Sequence, residues 1–338
     1  FELSHDTYNG IYAASDGLIY YVLCSESIEE GGKMYAFDPA TKEITLCGDL
    51  TEVCGEKELK TIPQGKSHVS FVESKGKLYF ATHIGYYTSI DGMEKMGVPP
   101  EGYHPYPGGH LLSFDLKTGK FEDYGIVPHK EGVLTMNMDI RRNIIYGITW
   151  PTGYLFKYDF KKGGMEDMGR VSGDGENGVK EKYRTLCRSI AIDPDTGIAY
   201  FSTADGIIFR YVPDSGEVEA IAEDNLRKDY FGQYDPASPG HMGYNWRQVF
   251  WYPPHRSIYG VHGNSGYFFR FDPEIKMVEV LDRVTSKPSQ RSGMFDQFSY
   301  GYLGMILSDN QHTVYYLTGS PIYINGKRLI GKSCTAKG

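Results

Sequence analysis

The sequence predicts an all-β fold assembled from repeated four-stranded antiparallel sheets, and three observations predict it. A short phrase recurs five times, apolar residues around it alternate with a period of two, and no convincing 3.6-residue stripe marks a helix. Radial repetition of such sheets makes a β-propeller, which can hold 338 residues as a single domain because each blade packs only on its neighbours.

The phrase is an aromatic or leucine, any residue, an aromatic, then usually Asp and a turn. It reads Tyr35-Ala36-Phe37-Asp38, Leu112-Ser113-Phe114-Asp115, Phe156-Lys157-Tyr158-Asp159, Phe209-Arg210-Tyr211-Val212-Pro213 and Phe269-Arg270-Phe271-Asp272. Asp and Gly after it supply the bend that joins two antiparallel strands. Upstream lies a second element, a polar turn followed by an apolar strand carrying Tyr. Examples are Ser15-Asp16-Gly17 before Ile19-Tyr20-Tyr21, Ser74-Lys75-Gly76 before Leu78-Tyr79-Phe80, and Arg141-Arg142-Asn143 before Ile144-Ile145-Tyr146.

Each unit therefore reads strand A, turn, strand B, loop, strand C, turn, strand D. The units fall at about 7–50, 64–127, 132–172, 183–222 and 243–284, with a partial sixth at about 298–338. The sixth has strands A and B but no later copy of the phrase. The expectation is a seven-bladed propeller whose C-terminal blades are incomplete in this chain, with a degenerate outer hairpin over 321–330 as the alternative.

Composition narrows the function classes. The formal net charge is −8 and the longest basic run is the pair Arg141-Arg142, which lacks the positive footprint that nucleic-acid binding needs. No apolar run approaches the ~18–20 residues of a membrane-spanning helix. The five cysteines are scattered with no CxxC pair, which argues against a zinc ribbon. Cys47 and Cys54 are spaced to bridge a loop in an oxidising compartment, while small unbridged thiols are the simpler reading. A first residue of Phe1 rather than Met fits either a removed leader or trimming, and leans towards a secreted or periplasmic location.

In a propeller, the segment leading into strand A and the loop joining B to C emerge on one face. Unusual residues gather at those two places. The longest B–C loop, 82–109, holds His83, Tyr86 and Tyr87 and runs into His110. Trp150 follows in the third unit, and His262 with Asn264 in the fifth. The leading segments carry Tyr8-Asn9, Gln64 to His68, Arg184 with Arg188, Asn245 with Arg247, and Tyr300 with Tyr302. An insertion at 224–242, which includes His241, is long enough to act as a lid.

Tyr and Trp faces stack on sugar rings, Asn and His bond hydroxyls, and Arg forks match a carboxylate. The mixture points to a glycan containing a uronic acid. The plainer alternative is that the aromatics fill gaps between blades and the histidines are hydrogen-bonded loop residues.

These segments and the repeat together resemble, in architecture, the propeller-type polysaccharide lyases, among them the oligogalacturonate, ulvan and rhamnosyl-glucuronate lyases. The resemblance implies His and Tyr for proton transfer and Arg against the uronate carboxylate. On it, His83 or His262 is the base, Tyr86 or Tyr300 the acid, and Arg184 with Arg247 the carboxylate clamp. His110, Trp150, Arg188, Asn245, Asn264 and Tyr302 complete the substrate contacts. A divalent metal occurs in some members and is left open here, since no HxH or HExxH spacing supports one directly.

The leading function is thus a carbohydrate-active enzyme, a carbon–oxygen lyase cleaving an acidic oligo- or polysaccharide by β-elimination at the propeller mouth. A glycoside hydrolase using the same mouth and a non-catalytic glycan- or protein-binding propeller are the alternatives.

Overall fold

The aspartate of the recurring phrase ends one strand and builds the turn into the next. Asp38 Oδ1 accepts from the Ala40 and Thr41 amides at 2.8 and 3.4 Å, and Asp115 Oδ1 from the Lys117 and Thr118 amides at 3.1 and 2.8 Å. Asp159 and Asp272 repeat the pattern with Lys161 and Glu274 at 2.8 and 3.0 Å. Amide hydrogen bonds, from Ala40 and Thr118 above all, hold the Asp38 and Asp115 carboxyls below the usual carboxylate range. Where the phrase reads Val212-Pro213, Ser215 substitutes: its hydroxyl donates to Val212 O at 3.5 Å and accepts from the Glu217 amide at 3.3 Å.

One position of each of these turns is left-handed. It is Gly119, Gly163 and Gly216 (φ 68°, 70° and 72°) in three copies, but Lys42 and Lys276 (φ 62° and 55°) in the other two. A non-glycine residue is strained there by about 1–2 kcal/mol, partly offset by the greater freedom glycine loses on folding. Lys42→Gly should therefore stabilise the protein by about 0.5 kcal/mol, read as a higher denaturant midpoint at unchanged m-value.

The computed structural model describes residues 1–90, 93–239, 241–284, 304–308, 310–316, 323–324 and 327–328. Packing divides the chain into two compact units, Phe1–Arg170 and Val171–Gly338.

The first unit holds three four-stranded antiparallel sheets. They are β1 (Ile11–Ala13), β2 (Ile19–Leu23), β3 (Lys33–Phe37) and β4 (Ile44–Asp49); then β5 (Val72–Ser74) and β6 (Lys77–Ala81), with a separate hairpin β7 (Tyr87–Ile90) and β8 (Met93–Met96), and β9 (His110–Asp115) and β10 (Phe121–Ile126); then β11 (Gly132–Asp139), β12 (Ile144–Trp150), β13 (Tyr154–Asp159) and β14 (Met165–Arg170). Strand order follows chain order in the first and third sheets and is β10-β9-β6-β5, the same order read backwards, in the second. Alternation along β2 and β3 buries Tyr20, Val22, Met34 and Ala36. One apolar core runs through all three sheets, from Val22 and Met34 through Phe80 and Leu112 to Ile145 and Phe156.

The second unit holds β15 (Ala191–Ile192), β16 (Ala199–Ser202), β17 (Ile208–Val212) and β18 (Glu217–Ala220), and then β19 (Trp246–Tyr252), β20 (Ser257–His262), β21 (Tyr267–Asp272) and β22 (Met277–Arg283), again as two four-stranded antiparallel sheets in chain order. Tyr200 meets Phe271 edge-on at 6.0 Å between these sheets. Two short pairs follow, β23 (Met305–Leu307) with β24 (Val314–Tyr316), and β25 (Tyr323–Ile324) with β26 (Lys327–Arg328).

The protein is thus all-β with several four-stranded antiparallel sheets. The sixth inner hairpin is the β23–β24 pair, and β25–β26 lies where the degenerate hairpin was expected. The β7–β8 hairpin, inside what the sequence marks only as a long loop, is an addition. The four described cysteines, Cys24, Cys47, Cys54 and Cys187, are unbridged thiols. Among the described residues, no helix is long and apolar enough to cross a membrane.

Candidate functional site

At the end of the first unit's sheets where strand A begins and strand B finishes, three glycines let chain segments close on one another. A Cβ at Gly65 would lie 2.4 Å from Gly85 Cα, one at Gly85 would lie 2.0 Å from Ser25 O, and one at Gly132 would lie 2.9 Å from His83 Nδ1. Backbone bonds then tie Lys66 to His83, 3.1 Å from Lys66 N to His83 O and 2.8 Å from His83 N to Lys66 O.

Lys66 is only 2% exposed. Its ammonium donates to Tyr8 Oη at 3.1 Å, lies 4.3 and 4.5 Å from the ring centres of Tyr8 and Tyr87, and stands 3.9 Å from Glu26. Burial pushes its pKa down, against the opposing influence of Cys24, Glu26, Glu94 and Asp6.

The two rings that sandwich this cation pack in turn on imidazoles, Tyr8 on His68 at 5.1 Å and Tyr87 on His83 at 6.4 Å, and the two imidazole centres lie 5.6 Å apart. His83 Nδ1 donates to Ile84 O at 2.9 Å and His68 Nδ1 donates to Leu134 O at 2.8 Å. A carbonyl can only accept, so Nδ1 carries a proton in both rings. Tyr87 donates to the same Ile84 carbonyl at 2.8 Å, and Trp150 packs against His83 and Tyr87 at 5.3 and 5.5 Å. Buried Glu131 holds the Trp150 loop in place, accepting from Thr149 Oγ1 at 2.6 Å and from the Thr152 amide at 3.0 Å. Tyr8, His68 and Tyr87 are half-buried, whereas Lys66, His83 and Trp150 form the floor.

Because Gly132 abuts His83, Gly132→Ala must move the imidazole. We expect turnover of a substrate processed here to fall by about tenfold with little change in fold content, measured as kcat/KM beside circular dichroism.

The residues singled out in the sequence divide between the two units. In the first, His83 and Trp150 join the cluster. Tyr86 does not; its neighbour Tyr87 takes the place beside His83. His110 is committed elsewhere, bonded through Nε2 to Glu56 at 2.9 Å and through Nδ1 to Asp123 at 2.8 Å. Burial works to lower its pKa, but hydrogen bonds from the ring to Asp123, Cys54 and Glu56 prevail and push it up to about 12. This cluster therefore stabilises the fold fully below the ordinary value of 6.5 and loses its contribution as pH climbs through about 12. The His110 ring proton resonances in NMR should accordingly show no titration step near neutral pH.

In the second unit Arg184 donates Nε to Asp205 Oδ2 at 2.8 Å and Nη1 to the Glu181 and Tyr183 carbonyls at 2.6 and 2.8 Å. Arg188 pairs with Glu176 at 2.7 Å. Asn245 is buried, bonded to Thr185 O and Ser202 Oγ, and Asn264 braces the backbone of Met242 and Gly243. Arg247 is buried with Nη1 3.9 Å from Met242 Sδ. These three fix the loop leading into β19.

His262 is fully buried rather than open. The 224–242 insertion folds down on it, stacking Phe231 on the imidazole at 4.2 Å and bringing Tyr234 to 5.8 Å. Desolvation lowers its pKa to about 3. The Ser265 amide donates to Nδ1 at 3.3 Å, so Nε2 bears the proton of this neutral ring. Burial also lowers the pKa of His241. Tyr300 and Tyr302 lie outside the described residues. Among the described residues, no group of three or more His, Cys, Asp or Glu side chains is arranged to hold a metal ion.

No family model matches the chain, and no curated protein matches it in sequence. Solved structures do resemble it. An auxiliary nutrient binding protein from Bacteroides thetaiotaomicron superposes with a TM-score of 0.51 at 9% identity, over 93% of this chain and 67% of that one. A chain of a nidogen/laminin complex gives 0.48 at 8% identity over 81% and 79%, and a luciferin-regenerating enzyme 0.47 at 10% over 83% and 78%. The likeness is one of fold.

Proposed function

We propose that the four-stranded sheets are propeller blades and that the Tyr8–Lys66–His68–His83–Tyr87–Trp150 cluster binds a uronic-acid-containing glycan and cleaves it by β-elimination. The observation that carries this reading is a buried ammonium held between Tyr8 and Tyr87, with His68 and His83 packed on those two rings and their Nδ1 protons spent on carbonyls. Elimination needs these parts: a cation to neutralise the carboxylate, a neutral base, and an acid for the leaving oxygen.

Lys66 takes the carboxylate role that the sequence assigned to Arg184 and Arg247. His83 Nε2 removes the proton α to the carboxylate. That C–H electron pair becomes the new double bond as the C–O bond to the leaving sugar breaks. The Tyr8 hydroxyl, its oxygen already accepting from Lys66, gives its proton to the departing oxygen. Trp150 and Tyr87 supply apolar faces for the sugar ring.

The test is incubation of the full chain with a panel of uronate polymers, read by the ultraviolet absorbance of an unsaturated uronate product. Appearance of that product supports the reading, and its absence across glucuronate-, galacturonate- and iduronate-containing polymers rejects cleavage. Binding without cleavage is the second reading. It is favoured by the depth of His83 and Trp150, 2% and 3% exposed, and by the fold shared with a protein described as nutrient binding.

A further inference from the structure

The 224–242 insertion is anchored at its ends and held by little between them. At its start, the Leu226 amide donates to Gly206 O at 2.8 Å, Arg227 Nε donates to Asp205 O at 2.6 Å, and Asp224 accepts from the Val278 amide at 2.8 Å. At its end, the His241 carbonyl accepts from Thr185 Oγ1 at 2.8 Å. Within 229–239, Phe231 is the one buried residue. A single hydrogen bond leaves this stretch for the described chain outside the insertion, from the Tyr234 amide to Tyr244 Oη at 3.0 Å. Few buried apolar contacts and few outward bonds mark a segment that opens locally. Phe231, 1% exposed, is its plug, stacked on His262 at 4.2 Å with Tyr267 at 5.8 Å.

The imidazole beneath the plug tolerates no second proton. Nδ1 accepts from the Ser265 amide, and a proton placed there would set donor against donor. Nε2 has no hydrogen-bond partner among the described residues. The titratable and charged groups on the elements packed around the ring offer no counter-charge. The insertion brings Tyr234 to 5.8 Å, with Asp229 and Asp235 exposed. The segment leading into β19 brings Tyr244 at 6.4 Å, with Arg227 over that ring at 5.1 Å, and carries His241 and Arg247. On the far side are Tyr267 and Arg283, which donates to Ser265 O at 3.1 Å. No carboxylate bonds to His262 among the described residues.

We propose that 229–239 is a lid that acid opens: protonation of His262 expels Phe231 and uncovers the imidazole together with the rings of Tyr244 and Tyr267. The lid lies in the other unit from Lys66 and His83 and does not depend on their reading. Burial alone holds the closed imidazole at a pKa of about 3, below the ordinary 6.5 it regains when uncovered. The neutral ring therefore favours closure fully above 6.5, and that contribution is lost progressively as pH falls from 6.5 towards 3.

The experiment is amide hydrogen exchange by NMR on the full chain at pH 7 and pH 5, with each rate corrected for the intrinsic effect of pH. Protection of the Tyr234 amide should fall by about 25-fold from pH 7 to pH 5, while the amides of β16 and β17 keep theirs. His262→Gln should remove this pH dependence and His241→Gln should retain it. Phe231→Ala takes away the plug, so the His262 ring should titrate near 6.5 and no longer near 3, a readout that survives a folding failure of the His262 variant. The proposal is overturned if Tyr234 is equally protected at both pH values, if β16 and β17 lose protection in step with it, if folded His262→Gln keeps the pH dependence, if His241→Gln abolishes it, or if His262 still titrates near 3 in Phe231→Ala.

Discussion

His83→Gln is expected to lower turnover of a uronate-containing glycan by about two to four orders of magnitude while changing its binding by no more than about threefold. The split follows from the placement of the ring. His83 is held by its neighbours through Nδ1 and through backbone bonds to Lys66, so its side chain contributes a basic Nε2 more than it contributes grip. Glutamine retains an amide that can reach the Ile84 carbonyl but has no basic nitrogen. Single-turnover rates and equilibrium binding, measured on the same variant, separate the two effects. Equal losses in both would mean that His83 only shapes the site.

Lys66→Met is expected to do the reverse to the two main observables. Affinity for the acidic glycan should fall by about a hundredfold, because the carboxylate would then be desolvated against an apolar side chain. The unliganded protein should become more stable, by about 1 kcal/mol, since Met has nearly the same length and no charge to bury. The pH dependence gives a second check. The folded state holds the Lys66 proton less tightly than the unfolded chain does, so the parent gains stability as pH rises towards the ordinary lysine value of 10.5, and the variant should lack that gain. A calorimetric melt over an alkaline pH series tests it. A less stable variant with normal binding would show Lys66 to be a packing residue.

The sheets were legible because their signal is local. Each aromatic-x-aromatic-Asp phrase contains both the strand and the carboxylate that makes its turn, so Asp38, Asp115, Asp159 and Asp272 announce the hairpins they cap. The site was legible only by region. The sequence marks the segments around Gln64 to His68 and His83 to Tyr87, but which side chain turns inward depends on contacts far away in the chain. His68 gains its role from Leu134, sixty-six residues on, and Lys66 from Tyr8, fifty-eight residues back. A lysine between Gly65 and Ser67 carries no local sign that it will be buried.

The histidines illustrate the same limit. His110 begins β9 and His262 ends β20, while His83 lies two residues past β6, yet the first is claimed by Glu56 and Asp123 and the second is roofed by Phe231. Glu56 and Phe231 lie outside the strands, where pattern offers nothing to read, and Asp123, on β10, meets His110 from the neighbouring strand.

The most direct measurement is a crystal structure of the protein with a uronate-containing oligosaccharide, obtained with His83→Gln to prevent turnover. The uronate carboxylate should lie within about 3 Å of Lys66 Nζ, with its α-carbon facing residue 83 and a ring face against Trp150 or Tyr87. A sugar lodged away from Lys66, or none at all at saturating concentration, would contradict the assignment.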